Sequence, residues 1–194
     1  MNRLLRIRAT AGFALVDVMA TLLLLGIATG VALPAFQDVT AGTSVGRAGR
    51  DVEQELRNAR QKAVTSNRPV RVHFNCPAVG RYRTVELIGR PSRPAPEDEA
   101  ADRCSEAAYP FPAADSDPQT LPNHDGPERA LPDGVSFGTA RSLEFWPDGS
   151  VHTEQDTTGP WPVASASGEL ITLKHDDLVQ VVSVNGAGKI RLQH

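Results

Sequence analysis

Apolar positions along the chain fall into one long run and then into short alternations. The run extends from Phe13 to Phe36 and contains a single charged position before its end, Asp17. It follows a segment, "MNRLLRIRATAG", with Arg3, Arg6 and Arg8 and no acid. From Phe13 to Leu33 a helix would measure about 32 Å, the thickness of a bilayer core. The basic flank predicts a cytoplasmic start, with the rest of the chain translocated. Farther on, Val52, Leu56, Ala59 and Ala63 recur at helical spacing in "DVEQELRNARQKAVTSN". Glu53 and Arg57 form an i,i+4 pair on the opposite side. This segment predicts an amphipathic helix laid on a sheet and ended by Asn67 and Pro69. Pro34 predicts a kink above it, and Gly42, Gly46 and Gly49 a weakened helix.

After Pro69 the period changes to two. "PVRVHFN" sets Val70, Val72 and Phe74 against Arg71, His73 and Asn75, which predicts a half-buried strand. "RYRTVELIG" (81–89) predicts a second. Residues 90–132 carry prolines and acids without an apolar period, so this stretch reads as a long excursion, a solvated loop with a binding surface as the competing reading. Strands resume with "GVSFG" and "SLEFWPDGSVH", the latter turning at Pro147-Asp148-Gly149. "GELITLKH" and "LVQVVSVN" predict a hairpin across Asp176-Asp177, and "NGAG" turns the chain into "KIRLQ".

Asp17 constrains the reading of the first run. A carboxylate at the centre of a spanning helix costs about 2.5–3.5 kcal/mol on insertion scales. A cleaved secretory signal has a shorter apolar core without an acid. A plain one-pass anchor fits the length and leaves Asp17 without a purpose. "Gly12-Phe13-Ala14-Leu15-Val16-Asp17", between a basic leader and an apolar helix, resembles the type IV pilin and pseudopilin signal. The resemblance implies cleavage between Gly12 and Phe13 by a prepilin peptidase, followed by N-methylation of Phe13. It also implies assembly roles for Asp17 and Pro34. The acid of one subunit would pair with the Phe13 amine of its neighbour, because an unpaired charge is costly in a low dielectric. Here the acid is Asp, one methylene shorter than the Glu more usual in the family. "FWPDGSV", the paired terminal strands, "GKIRL" and the join "RNARQKAVTSNRPVRVHF" are similar to the GspH/FimT group of minor pseudopilins and pilins.

Composition narrows the chemistry further. The chain has 194 residues and a formal charge of −3. Without the three leader arginines, 17 basic residues face 23 acidic ones, a charge of −6. That excess disfavours long-range attraction to DNA. If residues 189–193 form a strand, Lys189 and Arg191 nonetheless share one face of it, and "GKIR" is similar to a basic motif that some FimT-type pilins use on DNA; an ordinary solvated strand face is the competing reading. The two cysteines, Cys76 and Cys104, would form one disulfide in an exported domain and remain free thiols in the cytosol. Closing their loop would contribute roughly 3–4 kcal/mol in the chain-entropy picture. His73, His124, His152, His175 and His194 have no metal-ligand spacing. No nucleophile elbow, phosphate loop or Cys/His pair is present. The sequence therefore offers no catalytic residue, metal site or cofactor.

The expectation is an α+β, pilin-like fold in which a long N-terminal helix, part transmembrane and part amphipathic, packs on antiparallel β-sheet. Its parts are a leader (1–12), a membrane helix half (13–36), a periplasmic helix half (37–67) and a β-rich domain (68–194) carrying the loop at 90–132. The resemblance implies a minor pseudopilin of a type II secretion system, held in the inner membrane and assembled into the periplasmic pseudopilus. Its implied partners are other pseudopilins or pilins, the prepilin peptidase, the inner-membrane assembly platform and exported cargo. The alternative is a minor pilin of a type IV pilus, with DNA uptake as one version. The leader reading predicts a mature protein that begins at Phe13, one methyl group heavier than the unmodified chain. Mass spectrometry of the intact protein reads this directly, and an N-terminus near residues 28–31 would establish an ordinary secretory signal instead.

Overall fold

The computed structural model describes residues 15–89, 95–112, 125–155 and 160–193, with the side chains of 30–40 outside that set. The chain divides into two units, Met1–Thr40 and Ala41–His194. Helix α1 runs over Leu15–Ser66. Among the described residues nine strands follow: β1 Val70–Phe74, β2 Arg81–Glu86, β3 Arg129–Ala130, β4 Ser136–Phe137, β5 Leu143–Phe145, β6 Val151–Thr153, β7 Glu169–His175, β8 Leu178–Val184 and β9 Ile190–Gln193. A short 3-10 turn, Pro96–Glu99, lies between β2 and β3. Every strand pair is antiparallel. The strands form two sheets, ordered β3-β2-β1-β5-β6 and β4-β7-β8-β9.

In the second unit, the helical stripe read from the sequence is the inner face of α1. Val52, Leu56, Ala59 and Ala63 are fully buried, and Val45 and Ala48 extend the stripe one further turn. Alanines at 48, 59 and 63 keep that face thin, so larger strand residues fill the space against it. These are Val70, Val72, Leu143 and Phe145 from the first sheet, and Ile171, Leu173, Val182 and Val184 from the second. Phe137 of β4 sits edge-on to Phe74 at 5.1 Å and to Tyr82 at 5.8 Å, joining the two sheets through aromatic contact. The helix ends at Ser66 because Asn67 takes a left-handed φ of 55° and Pro69 follows.

Three expectations change. The glycines do not interrupt α1, which continues through all of them. A Cβ on Gly49 would lie 2.7 Å from Gln180 Cγ and 2.9 Å from Leu192 Cδ1, so this glycine lets the helix approach the second sheet. Strand β1 is not half-buried. Val70, Val72 and Phe74 face the helix, while Arg71 on the opposite face is also buried. Nor is the described part of 90–132 a solvated loop. Asp98, Arg103, Cys104 and Asp125 are buried within it. It covers the second face of the first sheet, and its last residues pair with β2 as β3.

The turns follow the sequence. Gly149 takes φ 86° in the Pro147-Asp148-Gly149 turn, and its N–H donates to the Trp146 carbonyl at 2.9 Å. Asp176 takes φ 51° in the two-residue β7–β8 connection. After β8, the Gly186 carbonyl accepts from Val151 N–H of β6 and its N–H donates to Ser165, tying the sheets together.

A Cβ on Gly186 would collide with the backbone carbonyl of Ala164 and lie 2.8 Å from Val163 Cγ1. Gly186→Ala is expected to cost about 1–3 kcal/mol. At Gly42 the nearest atom, Leu178 Cδ1, is 3.9 Å away. Gly42→Ala should therefore be neutral or gain up to about 1 kcal/mol from helix propensity. Thermal melts of the two variants separate these outcomes, and equal melts would contradict the close approach at Gly186.

Candidate functional site

The described side chains of the first unit, residues 15–29, form a helix that is apolar on every side. Leu15, Met19, Leu23 and Ile27 remain between 60% and 76% exposed. An apolar surface of this extent is a surface for lipid or for other protein. Thr21 Oγ1 donates to the Val18 carbonyl at 2.9 Å, and Thr29 Oγ1 donates to the Leu25 carbonyl at 2.9 Å. Both hydroxyls are thereby satisfied within the helix itself. Asp17 is different: it lies in the first turn, exposed among apolar neighbours, and nothing pairs with it among the described residues.

Gly12 and Phe13 lie outside the described residues, as does the side chain of Pro34. No helix among the described residues is long and apolar enough to cross a membrane. The part of the run with described side chains stops at residue 29, short of the roughly 20 residues a span needs.

In the second unit, ionic groups are concentrated beneath the segment that covers the first sheet. Arg71 Nη2 lies 2.6 Å from Glu144 Oε1 and 2.8 Å from Glu99 Oε1, and Arg71 Nη1 donates to the Asp98 carbonyl at 3.0 Å. The Trp161 ring covers its guanidinium at 4.1 Å. Burial disfavours the charged arginine, but Glu144 and Glu99 outweigh it and hold its pKa above the ordinary value. Arg103 makes a two-pronged bond to Asp125, at 2.5 and 2.8 Å, and also donates to the Glu86 carbonyl. Tyr109 covers it at 4.4 Å.

The carboxylates work as backbone caps as well. Asp98 accepts from Ile88 N–H and Gly89 N–H at 2.8 Å each, and Asp125 accepts from Glu86 N–H at 2.8 Å. These bonds satisfy the chain as it leaves β2. Cys76 and Cys104 are joined in the structure with Cα atoms 6.0 Å apart, inside the usual range. The bond connects the end of β1 to the same covering segment. Such groups brace a surface; no described residues form a metal-binding cluster.

Lys189 and Arg191 are exposed near and on β9, while Ile190 and Leu192 turn inward against the core. The alternation matches the sequence reading, although Lys189 directly precedes the strand and does not belong to it. Beside it lies a groove of about 620 Å³ between the last turns of α1 and the start of β9. Its lining includes Arg57, Arg60 and Val64, none of which the sequence singled out as a site. Only helical spacing places them on one face, and only the fold brings that face beside residue 189.

No protein-family model matches the chain, and no curated protein matches it. Similar solved structures include the type IV minor pilin FimU of Pseudomonas aeruginosa (strain PAO1). It is 10% identical, with a TM-score of 0.43, and the match covers 77% of this chain and 92% of that one. A second crystal form of FimU matches at 11% identity and a TM-score of 0.44, over 78% and 90% of the two chains. The minor pseudopilin EpsH from the type 2 secretion system of Vibrio cholerae is 15% identical, with a TM-score of 0.41, over 77% of this chain and 96% of that one.

One titration follows from the buried basic groups. His73 is only partly buried as a residue, but its Nε2 is sealed from solvent without a hydrogen-bond partner. Burial, and then the charges of Arg71 and Arg103, push its pKa from 6.5 down to about 3. Above pH 6.5 the imidazole is neutral in both folded and unfolded chains. Below that, the unfolded chain takes up a proton that the folded one refuses. Stability should thus fall as pH drops from 6.5 toward 3, by up to about 1.4 kcal/mol per pH unit from this group. Urea unfolding between pH 6.5 and 5, above the ordinary carboxylate range, should show this slope reduced in His73→Leu. An unchanged slope in that variant would refute the assignment.

Proposed function

We propose that the chain is a structural subunit of a pilin-like filament, and specifically a minor pseudopilin of a type II secretion system. The observation that carries this reading is Asp17, an acid without a described partner on a helix that is apolar all round, five positions after Gly12. A filament supplies what the single chain lacks: apolar neighbours for Leu15 through Ile27 and a cationic partner for Asp17. That cation is the amine of Phe13 on an adjacent subunit, created when the leader is cut after Gly12. Pairing two charges in a low dielectric fixes register, because a shifted subunit leaves both unpaired.

In this reading the subunit waits in the inner membrane as a single-pass protein, with its β-rich domain in the periplasm. The prepilin peptidase matures it, and the inner-membrane assembly platform moves it into the pseudopilus. There it initiates or caps the filament and touches other pseudopilins or exported cargo. A structural role is supported by Arg71, Arg103, Asp98 and Asp125, whose bonds hold the covering segment in place. The alternative is a minor pilin of a type IV pilus. The exposed Lys189 and Arg191 favour its DNA-binding version, and neighbouring secretion or competence genes would separate the two.

Asp17→Ala should leave membrane insertion and the melt of the β-rich domain unchanged. Incorporation into filaments should drop at least severalfold, because a neighbour's amine becomes a buried, unpaired charge. Asp17→Glu should retain incorporation. Counting this subunit in purified filaments tests both variants, and normal incorporation of Asp17→Ala would overturn the pairing role.

A further inference from the structure

Strand β9 is the last strand of the second sheet, and among the described residues no strand lies beside its outer edge. The Lys189 carbonyl accepts from Asn185 N–H, so at residue 189 the backbone faces β8. Antiparallel strands alternate, so the backbone N–H and C=O of Ile190 and Leu192 face away from β8 along the open edge. An open edge of this kind is a template for another extended chain.

The groove lies against the start of that edge. The helix side of the groove presents Arg57 and Arg60, and the strand side presents Lys189. Arg57 shares its guanidinium with Glu53 at 2.7 Å. Arg60 donates to the Ala187 carbonyl at 3.4 Å, which lays it over the β8–β9 turn. Gly188 makes this possible: it takes φ 74°, and a Cβ there would come within 2.5 Å of Arg60 Nε. No acidic side chain lines the groove, although the chain as a whole carries more acids than bases. Val64, 51% exposed, and Ile190 add apolar surface among the cations.

We propose that this groove docks an acidic, extended segment of a partner protein, which adds to the open edge of β9 as a fifth strand of the second sheet. Its backbone bonds to the outward N–H and C=O groups of Ile190 and Leu192. On the helix side its residues meet Arg57 and Arg60 with a carboxylate and rest an apolar side chain on Val64, and on the outer face a carboxylate meets Lys189. Recognition by strand addition takes affinity from the main chain and specificity from alternate side chains.

A nucleic acid fits these features less well. It offers no strand backbone to the edge, and no aromatic ring lines the groove to stack a base. A net negative chain also repels a long polyanion, whereas a short acidic segment meets only the local cations. This inference does not depend on the filament reading, and its test does not involve Asp17.

The test uses the full chain in detergent micelles, with four fluorescent probes read by anisotropy. The first is a hexapeptide of five Glu around one central Val. The second and third are the same peptide N-methylated at every other residue, one in each register, and the fourth is a single-stranded oligonucleotide of mixed sequence. The acidic peptide should bind, weaken as salt rises, and lose roughly tenfold or more in affinity with Lys189→Glu and with Val64→Asp. Both residues are exposed, so the variants should melt like the parent, which the same samples verify. N-methylation should abolish binding in one register and spare it in the other. Failure of the acidic peptide to bind, equal binding of both methylated registers, or tighter binding of the oligonucleotide would each overturn the proposal. Oligonucleotide binding lost with Lys189→Glu would reassign the groove to nucleic acid.

Discussion

Burial of one helical stripe, from Val45 to Ala63, is the constraint on which the rest of the domain depends. The stripe is built largely from small residues, so two sheets can approach the same helix closely. Fully burying each larger side chain, such as Leu56 or Val52, contributes about 1.5–3 kcal/mol. Once that face is committed, each strand must point its alternate residues toward it. The register follows: Val70 opposite Phe145, Val72 opposite Leu143, Ile171 opposite Val182. A one-residue slip in any strand would turn these side chains away from the helix.

The second face of the first sheet shows what this commitment requires. Arg71, Arg83 and Glu144 point away from the helix and are nevertheless buried, because the segment after β2 folds over them. A buried ion pair is weak evidence of stability, since desolvation offsets much of the attraction. Losing one member is a different matter, because the other is left charged without water. Arg71 and Arg103 each bind a carboxylate and a backbone carbonyl and lie against an aromatic ring. They therefore hold the covering segment in one position. The Cys76–Cys104 bond ties the same segment to the end of β1.

Much of the framework was legible from residue types. The stripe at 52, 56, 59 and 63, the two-residue β7–β8 connection and the turn at Gly149 each follow from a periodic or conformational signal strong enough to stand alone. The covering segment was not legible, because its order rests on single long-range bonds. Nothing in "APEDEAADRC" distinguishes Asp98, which caps Ile88 and Gly89, from the exposed acids around it. The polar alternation of β1 was read correctly as alternation and wrongly as solvation, since sequence period reports which face a residue occupies and not what lies over it. The glycines of α1 misled in a similar way. Their helix cost is local, whereas the close approach of Gln180 and Leu192 to Gly49 comes from strands more than 120 positions away.

In the β-rich domain the buried Arg71 and Arg103 bond to the covering segment and the carboxylates beneath it, while the helix of the first unit leaves its apolar surface and, among the described residues, one acid unmatched. A second pilin-like helix would match both at once. Site-specific photo-crosslinking tests this most directly, with a benzoylphenylalanine placed at Thr21, one turn from Asp17, in the full chain within native membranes. The account predicts a crosslink to another pilin-like subunit, lost when Asp17 is also changed to Ala. Crosslinks to lipid alone, or a protein crosslink indifferent to Asp17, would contradict it.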